Sequence, residues 1–149
     1  MKLDDALRGI LTLGFDTAPI IYFAEANPNY DSLVTKIFEQ IENGDIVGVT
    51  SVISLCEVLI YPLRNKDKKL LSRYREIMTQ SPHFFTASIN ASIAEAAAKL
   101  RADYNLRTPD ALQIATALEN GCDAFLCNDK GLKRVTELKI LVLDELTLS

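Results

Sequence analysis

Apolar side chains change their period again and again along this chain. Short apolar runs, among them Leu11-Thr-Leu-Gly-Phe15, Ile46-Val-Gly-Val49 and Ala124-Phe-Leu-Cys127, alternate with longer stretches. In the longer stretches apolar residues recur every three or four positions, as in Leu33, Ile37, Phe38 and Ile41. Runs of the first kind fit short buried strands, and the second kind fits amphipathic helices. The reading along the chain is a short helix Leu3–Arg8, a strand Leu11–Asp16, a short helix started by Pro19, and a helix Tyr30–Glu42 stopped at Asn43-Gly44. A strand Ile46–Val49 follows, then a helix capped by Thr50 or Ser51, carrying Glu57 and closed by Pro62. Next come a helix Lys66–Met78, a strand Phe84–Thr86 and a helix capped by Asn90. Thr108 caps the following helix with Pro109 at its first position, and Gly121 ends it. Strands Ala124–Cys127 and Ile140–Leu143 flank a short helix around Lys130–Val135.

Strands separated by helices predict an α/β fold, a three-layer α/β/α sandwich with a mostly parallel sheet of four to five short strands. No repeat, low-complexity tract or linker divides the chain, so a single domain over 1–149 is expected.

Composition narrows the function. The 149 residues are 48% apolar, enough for one domain with a proper core. A net charge of -4 argues against broad affinity for nucleic acid through bulk charge, though not against a local basic strip. Cys56, Cys122 and Cys127 are odd in number and lack C-x-x-C spacing, so they read as reduced thiols of a cytoplasmic protein. Asp4 and Asp5 spoil a signal peptide, and no apolar run nears the ~20 residues that span a bilayer. His83 is the only histidine, which excludes two-histidine acid–base catalysis and histidine-rich zinc sites.

Four acids stand where such a sheet would gather them. Asp16 and Asp129 end apolar runs, Glu57 lies within Leu55-Cys-Glu57-Val-Leu59, and Asp110 opens a helix in Thr108-Pro-Asp110-Ala111. Ligands of open α/β sheets bind beyond the carboxyl ends of the strands, where the strand order reverses. Taken singly, each acid has an ordinary explanation as a turn residue, a helix-terminal charge or a surface position. Converging, they form an all-oxygen set suited to Mg²⁺ or Mn²⁺.

The segments Phe15-Asp16-Thr17, Cys56-Glu57-Val58, Pro109-Asp110-Ala111 and Asn128-Asp129-Lys130 occur in the order and local contexts of the PIN domain family, which the chain resembles over about residues 12–144. The resemblance implies a metal-dependent endoribonuclease acting on single-stranded RNA, similar to the VapC-type toxins of type II toxin–antitoxin pairs. It implies Asp16, Glu57, Asp110 and Asp129 as catalytic metal ligands, a cognate antitoxin and a homodimer. Thr17 and Asn128 are supporting candidates. Arg64, Lys68, Lys69 and Arg73, with Lys130 and Lys133 beside Asp129, are candidates for touching RNA, and Tyr74 for stacking on a base. Residues 1–11 count as an N-terminal extension, because the family's first strand usually starts the chain. The helices around Ile20–Phe23 and Leu55–Ile60 are candidates for a dimer or antitoxin surface. The alternative is a catalytically silent PIN-like module that binds RNA or a partner. A receiver-type phosphoacceptor domain is disfavoured, since two of the acids lie on helices and no strand-end lysine completes that set.

Overall fold

The computed structural model describes residues 1–149. Helices and strands alternate as α1 (Leu3–Leu7), β1 (Thr12–Phe15), α2 (Thr17–Ala24), α3 (Asp31–Glu42), β2 (Val47–Ser51), α4 (Val52–Arg64), α5 (Lys68–Thr79), β3 (Phe84–Ala87), α6 (Ala91–Tyr104), α7 (Thr108–Glu119), β4 (Ala124–Cys127) and β5 (Lys139–Val142). All strand pairs are parallel, in the order β3-β2-β1-β4-β5. From β1 the chain lays down β2 and β3 on one side, then returns to the other side for β4 and β5. The reversal therefore lies between β1 and β4, and their carboxyl ends lead directly to Asp16 and Asp129.

Strand alternation feeds two cores. Leu13 and Phe15 of β1 and Leu126 of β4 face α1, α2, α3 and α5, in a core that includes Phe38 and Phe84. Phe125 and Cys127 of β4 and Val49 of β2 face the other layer, α6 and α7. Gly14 points to that second layer. A Cβ there would stand 2.8 Å from the Ala117 Cβ, so glycine is what lets α7 lie close against β1.

Several boundaries differ from expectation. α2 starts at Thr17, not Pro19, because the Asp16 carboxylate caps it, accepting the Thr17 N–H at 2.9 Å. α4 runs past Pro62 to Arg64; the buried proline removes one donor from the last turn without ending it. Thr108 is the first residue of α7 rather than its cap, and its Oγ1 accepts from Arg101 at 3.0 Å instead. Asp67 caps α5, which begins at Lys68 rather than Lys66. Ser51, not Thr50, caps α4.

The first eleven residues are no loose extension. Leu3, Ala6, Leu7 and Ile10 are buried in the same core as β1. Lys2 pairs in parallel with Thr147; the Leu3 N–H donates to Thr147 O at 2.7 Å and the Thr147 N–H to Met1 O at 2.9 Å. No helix is long and apolar enough to cross a membrane.

Candidate active site

Three of the four predicted acids line one cleft of about 290 Å³ over the carboxyl edge of the sheet. Asp16 comes from the cap of α2, Glu57 from the second turn of α4 and Asp110 from the first turn of α7. Thr17, Arg107 and Gln113 share the lining. Asp129 is not part of it. Its Oδ1 accepts the Gly131 N–H at 2.8 Å and caps the 3-10 turn Lys130–Arg134.

Electrostatics nevertheless joins all four. The Asp16 carboxyl is pushed up to about 6, first by burial and then by repulsion from Asp110, Glu57 and Asp129, with the Thr17 N–H pulling the other way. No lysine, arginine or histidine bonds Asp16. Asp110 does have a cation: the Arg107 guanidinium lies with Nε 3.1 Å from Oδ2 and a terminal nitrogen 3.4 Å from Oδ1. The Glu57 Oε1 accepts the Thr17 hydroxyl at 2.6 Å.

Could these side chains hold a divalent metal? No three His, Cys, Asp or Glu side chains are gathered closely enough to enclose an ion. The donor chemistry does fit, since every candidate ligand atom is a carboxylate oxygen, the preference of Mg²⁺ and Mn²⁺. The charge balance fits as well, because a cation beside Asp16 would relieve the repulsion that raises its pKa.

Beneath the acids lies a buried polar cluster that the sequence reading missed. Thr17, Thr50, Ser51, Ser54 and Gln113 are buried, and no buried side-chain polar atom lacks a partner. The Thr17 and Ser54 hydroxyls meet at 2.9 Å. The Gln113 amide nitrogen donates to Ser54 at 2.6 Å and to Thr17 at 3.3 Å, and the Gln113 carbonyl accepts from Ser51. One signal was available. Gln113 is a lone amide within Ala111-Leu-Gln113-Ile-Ala115, one turn after Asp110.

The supporting candidates act differently than expected. The Thr17 hydroxyl serves Glu57, and only its N–H serves Asp16. Asn128 makes no bond to Asp129; it donates to the Tyr22 hydroxyl at 3.3 Å and accepts the Asp144 N–H at 3.0 Å. Tyr22 stacks on Tyr30 with ring centroids 4.4 Å apart, so Asn128 ties α2 to the segment after β5. The Cys127 thiol, pushed up to about 12 mainly by burial, makes a weak 3.6 Å bond to Asp129 O.

The basic candidates do not line the cleft. Tyr74 is fully buried and donates to Glu25, so it offers no face to a base. Arg73 is spent on α2, donating to Ala24 O at 2.8 Å and lying over the Phe23 ring. Lys133 pairs with Glu145 at 2.8 Å. Arg64, Lys68, Lys69 and Lys130 are exposed. Arg64 lies on the Glu57 face of α4, two turns or about 10 Å further along. On the proposed docking helices, Ile20 belongs to the core, whereas Ile60, Tyr61 and Leu63 of α4 are exposed.

The architecture recurs among solved structures. VapBC2 from Rickettsia felis, solved on a DNA fragment from its promoter, superposes with a TM-score of 0.71 at 15% identity, covering 89% of this chain and 98% of that one. FitAcB from Neisseria gonorrhoeae gives 0.67 at 17% identity, covering 91% and 99%. VapC20 of Mycobacterium tuberculosis, a Sarcin-Ricin loop cleaving toxin, gives 0.64 at 15% identity, covering 86% and 98%. At such identities the likeness is one of fold. No curated protein sequence matches the chain. The sequence model of the PIN domain does match, over residues 15–138, from the last residue of β1 through β4, a span that takes in all four acids: the chain belongs to the PIN domain family.

Proposed function

We propose that the chain is a divalent-metal-dependent endoribonuclease that hydrolyses single-stranded RNA and acts as the toxin of a toxin–antitoxin pair. One observation carries this reading. Asp16, half-buried at the strand-order reversal, shares one cleft with Glu57 and Asp110, and no lysine, arginine or histidine bonds it. Such a carboxylate is costly unless a positive charge joins it. Asp16 and Asp110 would hold Mg²⁺ or Mn²⁺, with Glu57 and Asp129 direct or through water, and the ion would supply Lewis acidity toward the phosphate. Glu57 would take a proton from the attacking water, its Oε1 held by the Thr17 hydroxyl. Arg107 is exposed and always charged, and can leave Asp110 for a phosphate. Arg64, Lys68, Lys69 and Lys130 can guide the RNA backbone toward the cleft.

An antitoxin partner is supported by the company of the fold, since a structure of the same fold was solved as a toxin–antitoxin complex from Klebsiella pneumoniae. We assign its contact to the exposed Ile60, Tyr61 and Leu63 of α4, and we expect a homodimer and a cytoplasmic location.

The test is cleavage of a mixed single-stranded RNA with Mg²⁺ or Mn²⁺, against chelator and Asp16→Asn. Cutting that needs metal and is lost in the variant supports the reading. A second reading, a silent PIN module that binds RNA or a partner, is favoured by the Arg107–Asp110 pair, which already neutralises one acid. Folded protein that binds RNA but cuts nothing under any metal would establish that reading instead.

A further inference from the structure

We infer that Gln113 is the positioning residue of the site, the α7 side chain that ties its helix to the two other elements carrying the cleft acids. This inference rests on the nuclease reading. Gln113 lies one turn after Asp110 on α7 and lines the same cleft, yet is almost fully buried. Its amide nitrogen reaches Thr17, the first residue of the helix that Asp16 caps, and Ser54, one turn before Glu57 on α4. Its carbonyl accepts from Ser51, the cap of α4. One planar group therefore fixes α7 against the starts of α2 and α4.

Proton bookkeeping strengthens the assignment. Thr17 has one hydroxyl proton, and its neighbours are Glu57, Ser54 and Gln113. An amide nitrogen can only donate, so Gln113 fills the acceptor side of the Thr17 oxygen and leaves the proton for Glu57. The same amide donates to Ser54, whose own proton is then free for Thr17. Replacing the amide by an apolar group removes the donors that set this order and uncouples α7 from its neighbours. Asp110 would then keep its helix but lose its register against Asp16 and Glu57.

The test is Gln113→Met, which keeps side-chain length and burial but has no N–H or C=O. The probe is Mn²⁺ alone, its free concentration read by electron paramagnetic resonance, followed by RNA cleavage kinetics. The expected result is a Mn²⁺ dissociation constant at least fivefold weaker and a kcat about tenfold lower, with KM for RNA unchanged within twofold. Ser54→Ala should move both in the same direction by less. The double variant should lose less than the sum of the two, because both substitutions remove the same contact. A Mn²⁺ constant within twofold of the wild type in folded Gln113→Met, or full additivity, overturns the inference. If Gln113→Met does not fold, an unchanged Mn²⁺ constant in Ser54→Ala overturns it. Failure of the nuclease reading looks different: the wild type itself then shows no Mn²⁺ binding that Asp16→Asn removes, and the inference falls with it.

Discussion

Asp16 and Asp123 stand at opposite ends of the same strand pair. Asp16 directly follows β1, and Asp123 directly precedes β4. The Asp123 Oδ2 accepts the Leu11 and Thr12 N–H groups at 2.9 and 3.0 Å, which hold its carboxyl below the usual range. Asp16 receives one N–H and three like charges, and its carboxyl is raised to about 6. Parallel strands explain the asymmetry. Their amino ends present free N–H groups, which suit an anion; their carboxyl ends present carbonyls, which do not. The same side chain is thus a staple at one edge of the sheet and a liability at the other. On the proposed nuclease reading, the liability persists because a cation can use it.

The largest expected break in this symmetry is Asp16→Asn. Metal-dependent cleavage should fall at least about 100-fold, while the fold becomes more stable at pH 7, on the order of 2 kcal/mol by urea unfolding. Asparagine caps a helix as well as aspartate does, so the gain is not offset. A variant that loses both activity and stability would break the contrast. The pH dependence sharpens it. A raised carboxyl stabilises the fold below its unfolded pKa near 3.8, and that contribution is lost as pH rises through about 6. Wild-type stability should therefore fall between pH 4 and 6 relative to Asp16→Asn. Asp123 has the opposite sign: its contribution is present above 3.8 and lost as pH falls through its lower folded value.

Gly14→Ala comes next. Its new Cβ would meet Ala117 at 2.8 Å, and forcing α7 off β1 should cost about 2 kcal/mol in thermal or urea unfolding. Asp123→Ala should cost about 1 kcal/mol, the exposed setting keeping it small, and leave cleavage within twofold. Smallest of all, Arg73→Ala should leave RNA affinity unchanged in a filter-binding assay, whereas Arg64→Ala weakens it severalfold in low salt.

What the chain revealed in advance follows from the range of the forces involved. The alternation of periods gave the parallel sheet, because burial on both faces leaves a local pattern. The places of Asp16, Asp110 and Asp129 in the fold were legible because strand ends and helix starts are local too. Tyr74 was misjudged: in Arg73-Tyr74-Arg75 it reads as part of a basic surface, yet α5 turns that ring into the core and the arginines out. Arg73 looked like a phosphate ligand because nothing nearby in sequence announces the carbonyls of Phe23 and Ala24, some fifty residues away. Gln113 was passed over for the same reason. Its partners Thr17 and Ser54 are 96 and 59 positions distant, and an amide on a helix reads as surface until the neighbouring helices are in place. Residues 1–11 were set apart by comparison with a family pattern, but their apolar positions Leu3, Ala6, Leu7 and Ile10 belong to the core.

The pairing of Lys2 with Thr147 has a kinetic consequence. Met1 and Thr147 are 146 positions apart, about the longest loop this chain can close. A contact of that separation forms only after the intervening chain has been drawn in, so it belongs to the end of the folding reaction. The core is thus complete only once β5 and the residues beyond it have docked, and pulse-labelling hydrogen exchange should find the Leu3 amide among the last to gain protection.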